Sequence, residues 1–237
     1  MFRKSHSLRC TMNKLSVEKE ISSYIGRLLR ENFGRGPGHV LATWSHPFLS
    51  VHLSNFLSPM EKSLMANNKS IYVHKTRDLM METLMKDITS YIELTLNQTV
   101  SEFNYDWNLD HMTGMFIIRM KGHDCEIVPY PNKEKVEEVM IEVSAIAQKE
   151  PESIYSHLLN KRQLILVRKG ILINIEKEFI KLGFKENLMI AKRNLEKRLL
   201  KERRRDFEAH LNKKVIDEFT FWNFERDSSY IIFILEA

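Results

Sequence analysis

The chain repeats itself, and that repeat constrains its fold more than any other feature. Trp107-Asn108 recurs as Trp222-Asn223, an offset of 222 − 107 = 115 residues. The same offset, without a gap, sets Leu57 and Glu61-Lys62 on Leu172 and Glu176-Lys177, and Leu96-Asn97 on Leu211-Asn212. Ile21, Ile25 and Leu28 fall on Val136, Met140 and Val143, while Val73, Met80, Leu84 and Ile92 fall on Leu188, Leu195, Leu199 and Phe207. Apolar positions that persist while their neighbours change are positions that pack. Each half is therefore expected to be the same supersecondary unit, diverged after duplication. The competing explanation is two unrelated units whose periodicities fall in phase.

The first copy reads as α+β. Val17, Ile21, Ile25, Leu28 and Leu29 recur at helical spacing, with Ser16 as a candidate N-cap. A hairpin follows, with one strand near His39–Trp44, a turn at Ser45-His46-Pro47, and a second strand at Phe48–Ser54 whose Leu49, Val51 and Leu53 alternate with polar residues. Ser58-Pro59-Met60-Glu61 opens a short helix: serine caps, proline suits the first helical position, and glutamate completes a capping box. A long amphipathic helix over Tyr72–Leu96 and a closing hairpin of Val100–Asn108 with Met115–Met120 complete the unit. The second copy predicts a helix near Lys133–Lys149, a hairpin over Ser153–Lys169, a long helix at Asn187–Asn212 and a hairpin over Val215–Ala237. Leu164–Val167 and Tyr230–Leu235 are apolar on both faces, so they are expected to be central, covered strands. The organisation is then an N-terminal arm at 1–15, a first repeat at 16–120, a linker at 121–131 and a second repeat at 132–237. Small units bury a lesser share of their surface, so the copies are expected to pack as a pseudo-dimer around antiparallel sheets.

Composition narrows the function. No run approaches the roughly 18 apolar residues of a membrane span, and the basic start lacks the apolar core of a secretory signal. Cys10 and Cys125 are too few and too scattered for a disulfide framework, which fits a cytoplasmic setting. A net charge of +5 permits anionic partners without specifying one. No P-loop, GxSxG, dinucleotide fingerprint or HExxH occurs, so no catalytic residue, cofactor site or metal site is expected. His39, His46 and His52 share one hairpin, but His46 lies at its turn, and His123-Asp124-Cys125 suits a linker.

Three features remain as candidate sites. Phe33-Gly34-Arg35-Gly36-Pro37 places an arginine in a glycine-rich turn that ends a helix. Gly34 there reads as a left-handed terminator, and Arg35 as a partner contact. Asp106 points away from Phe103, Tyr105 and Trp107 on its strand and is replaced by Phe221 in the second copy, so it is either a strand-end acid or a contact special to the first copy. Lys192–Arg205 is a basic helix whose Arg198, Lys201, Arg204 and Arg205 could track a polyanion. Glu196, Glu202, Asp206 and Glu208 are interleaved with them, as on a solvated face. Arg203, opposite Ile88 on the apolar stripe, is expected to snorkel or to meet a carboxylate between the copies.

Phe33-Gly34-Arg35-Gly36-Pro37, then Leu57-Ser58-Pro59-Met60-Glu61-Lys62, then Asp106 on a late strand, resemble the MpsC family over about Val17 to Met120. The second copy shares the spacing but has Gln148-Lys149-Glu150-Pro151 in place of the glycine-rich run. The resemblance implies association with a sodium-translocating, membrane-potential-generating system whose membrane subunits resemble inorganic-carbon transport components. It implies a non-enzymatic, cytoplasmic accessory protein, peripheral to the inner face of the membrane, with membrane transport subunits as protein partners. The alternative is a nucleic-acid or polyanion binder acting through residues 192–205. Whether two chains associate is left open.

Overall fold

The computed structural model describes residues 3–122 and 129–237, and side chains from residue 14 onward. His123-Asp124-Cys125 and the Cys10 side chain fall outside the described residues. The chain divides into two compact units, Met1–Cys125 and Glu126–Ala237.

The first unit runs α1 (Arg3–Phe33), β1 (His39–Ser45), β2 (Phe48–Ser54), α2 (Pro59–Ala66), α3 (Ser70–Leu96), β3 (Val100–Asn108) and β4 (Thr113–Met120). Its four strands form one antiparallel sheet in the order β1-β2-β4-β3. Helices α1 and α3 pack on one face, burying Ile21, Ile25, Leu29, Leu84, Ile88 and Ile92 against Leu49, Val51, Leu53, Phe116 and Ile118. The period of 3.6 on the helices and of 2 on the strands delivers these residues to one layer. Two boundaries differ from expectation. Helix α1 begins at Arg3 rather than beside Ser16, because no proline or glycine precedes Gly26 to stop it. On α3 the stripe runs through Met81, fully buried, and Met80 sits half-exposed beside it.

The second unit runs α4 (Lys133–Ala147), β5 (Ser153–Asn160), β6 (Gln163–Lys169), α5 (Asn174–Lys181), α6 (Lys185–Glu202), α7 (Arg204–Leu211), β7 (Val215–Asn223) and β8 (Ser228–Leu235). Its sheet has the order β5-β6-β8-β7, so β6 and β8 are central, and both are buried along nearly their whole length. Leu84 and Leu199 are both buried.

The registers of the two sheets follow the sequence offset. Phe48 pairs with Arg119 and Gln163 with Ile234; Phe103 pairs with Ile118 and Glu218 with Phe233. Each closing hairpin carries a bulge at the matching place, between Val100 and Glu102 and between Val215 and Asp217. Asn97 and Asn212 both end their helices in the left-handed conformation at φ 50°. Glu93 accepts the Val100 amide at 2.7 Å, and Glu208 accepts the Val215 amide at 3.0 Å. One register departs: a bulge between Leu158 and Asn160 slips the rest of β5 by a residue.

The long helix expected at Asn187–Asn212 is instead broken at Arg203. Its counterpart Ile88 is fully buried in the unbroken α3, a position a guanidinium cannot fill without a buried partner. The backbone leaves helical geometry at Arg203, and the side chain reaches Glu142 and Asp206 at the surface. Arg203 does meet carboxylates, but both belong to its own unit, which corrects the expectation of a partner between the copies.

Candidate contact surface and the charge clusters behind it

The glycine-rich turn begins where α1 ends. Gly34 has φ +67°, the left-handed region that a side chain strains to enter. Arg35 follows, half-exposed, and Pro37 is buried. Phe33, the last residue of α1, points inward with its ring edge-on to Phe56 at 5.2 Å.

Behind this turn lies a buried arginine that the sequence reading missed. Arg77 on α3 is fully buried. Its guanidinium lies 4.6 Å from the ring centres of both Phe56 and Trp107, and 5.8 Å from that of Phe33. Nε donates to Glu61 Oε1 at 2.7 Å, while Nη2 donates to Glu61 Oε2 at 3.1 Å and to the Phe56 carbonyl at 2.8 Å. Glu61 is fixed in turn by the capping box that the sequence predicts: its carboxylate accepts the Ser58 amide at 2.7 Å, and Ser58 Oγ accepts the Glu61 amide at 3.3 Å. Burial alone would raise the Glu61 pKa. The hydrogen bond and charge of Arg77, with the Ser58 contacts, outweigh it and hold the carboxyl below its usual value. Gly114 makes room for Trp107, since a Cβ there would stand 2.4 Å from the indole ring. The Phe33 turn, the Ser58–Glu61 cap and the aromatic strand thus converge on one cation. Arg35, beside Phe33 in the turn, is half-exposed. The signal was present in the sequence: Val73, Arg77 and Met81 are spaced four apart, which places Arg77 on the core stripe.

The second unit rebuilds this cluster with different chemistry. Lys192 stands where Arg77 does and donates to Glu176 at 2.8 Å and to Gln148, which occupies the Phe33 position. Trp222 keeps its place but donates its Nε1 to Glu196 at 3.0 Å. Glu196 replaces Met81 and pairs with Arg168, which replaces Leu53; Arg168 also donates to Ser229 at 2.8 Å and Ser144 at 2.9 Å. Where the first unit has the buried apolar residues Met81 and Leu53, the second has a hydrogen-bonded ion pair with both charges enclosed.

That finding changes the basic helix. Lys192, Arg193 and Glu196 are buried, so this stretch is not simply a solvated face. Arg203 is paired with Glu142 and Asp206. Arg204 pairs with Glu218, and Glu208 turns to Lys214 and the Val215 amide instead. Of the four candidate polyanion contacts, Arg198, Lys201 and Arg205 are exposed, and Arg204 is half-buried in its ion pair. Asp106 is fully buried on the strand face opposite Trp107, and its counterpart Phe221 is buried too. Of the two first-unit candidates, only Arg35 reaches solvent.

Among the described residues, no helix is long and apolar enough to cross a membrane, and no three His, Cys, Asp or Glu side chains gather as metal ligands would. The architecture defines a protein of two α+β units, each an antiparallel sheet with helices packed on it. Residues 13–121, which lie within the first unit, match the family model described as Na+-translocating membrane potential-generating system (MpsC). No curated protein and no solved structure matches the chain.

Proposed function

We propose that the chain is a non-catalytic accessory protein of a membrane ion or inorganic-carbon transport system, acting by protein contact through its first unit. The observation that carries this reading is the family match, which ends with the first unit. Arg35 is the first-unit candidate that reaches solvent, two residues after Phe33, whose ring faces the buried Arg77–Glu61 pair. A cytoplasmic location peripheral to the membrane goes with this role. We read the second unit as a duplicated copy, since its registers, bulge and left-handed asparagine recur at the sequence offset. The test is capture from native membranes in mild detergent, using the full chain as bait. Recovery of transport subunits supports the reading.

A second reading rests on three exposed cations, Arg198 and Lys201 in the last turns of α6 and Arg205 at the start of α7. It makes the chain a polyanion binder. Salt-sensitive retention on a polyanion resin, lost when these three are neutralised, together with no capture of membrane subunits, would replace the first reading with this one.

A further inference from the structure

The second unit is open at the end where α4 begins. Helix α1 of the first unit runs on through Leu15, Ser16 and Val17, and Val17 packs on its core. The matching residues Tyr130, Pro131 and Asn132 precede α4 instead of extending it. Pro131 disfavours helical geometry at the residue before it, and Asn132 takes the left-handed conformation at φ 57°. A cleft of about 680 Å³ lies at this end, and all of its lining residues belong to the second unit. That size suits a small organic molecule.

The lining combines an apolar surface with cations. Tyr130 and Leu235 are buried core residues, and Leu158 and Leu211 pack on that core. Lys161 enters from the β5–β6 turn, His210 from the end of α7, and Lys213 from the turn beyond it. Lys213 Nζ donates to the Lys161 carbonyl at 2.9 Å, which fixes its ammonium at the turn that carries Lys161. An ammonium so held keeps further donors for a ligand. Among the described residues, no carboxylate lines the cleft. On the flanking elements, Glu137 is engaged by Ser156 Oγ at 2.7 Å and Lys133 at 3.5 Å, and Glu208 by Lys214 and the Val215 amide, both at 3.0 Å. Glu134 and Glu236 are exposed outside the lining. Asn132 Nδ2 donates to the His210 carbonyl at 2.9 Å, so one of the carbonyls that end α7 already has its donor. The first unit has His46, Thr95 and Gln98 at the positions of Lys161, His210 and Lys213, so both lysines are the second unit's own.

We propose that this cleft binds a small organic anion with an apolar body, its charged head on Lys161 and Lys213 and its body on Leu158, Leu211 and Leu235. The site lies outside the matched residues 13–121 and does not depend on the accessory reading. Titration calorimetry of the full chain with decanoate tests it, with decanol as the probe without the charge and inorganic phosphate as the probe without the apolar body. Decanoate should bind saturably, and decanol and phosphate each about tenfold more weakly or worse, since each lacks one half of the contact. Lys161→Gln/Lys213→Gln, altered at exposed and half-exposed positions and checked for unchanged thermal unfolding, should weaken decanoate about tenfold. Ala209→Trp, at an exposed position of the lining, should block decanoate with both lysines in place. Three results overturn the proposal: no saturable decanoate binding by the unaltered chain, decanol bound as tightly as decanoate, or decanoate binding that either variant leaves unchanged.

Discussion

Removing Arg77 tests the reasoning about the first unit most sharply. Arg77→Met keeps an aliphatic chain between Phe56 and Trp107 but takes away the partner of a Glu61 whose side chain is 9% exposed. Breaking a buried pair from one side costs about 3–5 kcal/mol, because the remaining charge is left without its counter-ion. Two ring faces at 4.6 Å add to the loss, though methionine recovers part of that contact. The Ser58 amide still holds one Glu61 oxygen, which limits the damage. A net loss of about 4 kcal/mol is expected, equivalent to a urea midpoint roughly 2 M lower at an m-value of about 2 kcal/mol/M. Urea titration followed by tryptophan fluorescence measures it. Arg77→Met/Glu61→Gln should be more stable than Arg77→Met alone, since the uncompensated charge is gone. The pH dependence should also change sign. In the unaltered protein Glu61 has a lowered pKa, so its contribution is present above the ordinary carboxylate range and lost as pH falls through the folded value. Without Arg77, burial dominates and raises the pKa, so the variant should lose stability as pH rises through that range. A cost below about 1 kcal/mol, or strictly additive single and double variants, would refute the account of a caged, paired arginine.

Three other outcomes follow from the geometry. Gly34→Ala should cost about 1 kcal/mol in thermal or urea unfolding because of its positive φ, and Gly34→Asn less, since asparagine tolerates that region. His157 is buried, and burial, with the charge of Lys133, pushes its pKa down to about 4. The histidine stays neutral when folded, so its contribution is intact above the unfolded value near 6.5 and falls away towards pH 4, by up to about 3 kcal/mol; stability measured across that window should flatten in His157→Gln. In the second unit Glu196→Gln should destabilise by about 3 kcal/mol or more by stranding Arg168, and Glu196→Gln/Arg168→Met should recover much of it, read by the same urea titration.

Much of this fold was legible because local and tertiary signals agreed. The alternation in Phe48–Ser54, the Ser58–Glu61 box, Gly34 after an amphipathic helix and the doubly apolar Tyr230–Leu235 each have a local cause that packing does not override. The sequence offset then carried the same elements to the second half. What escaped were the charges that turn inward. Lys192 and Glu196 read as part of a solvated face, Arg168 drew no reading, and only the fold brings the three together from α6 and β6. Glu196 also hid the true stripe: its counterpart Met81 was passed over for Met80, whose counterpart Leu195 is apolar. The break at Arg203 was foreseeable as a problem, since a cation replaced a core isoleucine, but its solution by bending toward Glu142 depends on α4. The candidate site was legible only as a loop. The enclosure of Asp106 is a product of packing, whereas the arginine behind Phe33 could have been found from its place on the Val73–Met81 stripe.

The central claim, contact with a membrane system through the first unit, is tested most directly by quantitative capture from native membranes with three baits side by side. The unaltered chain should recover transport subunits. Arg35→Ala, a surface change expected to leave folding within about 0.5 kcal/mol, should recover clearly less. Lys149→Ala, in the equivalent loop of the second unit, should recover as much as the unaltered chain. Equal recovery by all three would contradict the assignment of the contact to the Arg35 turn, and no recovery by the unaltered chain would contradict the accessory role itself.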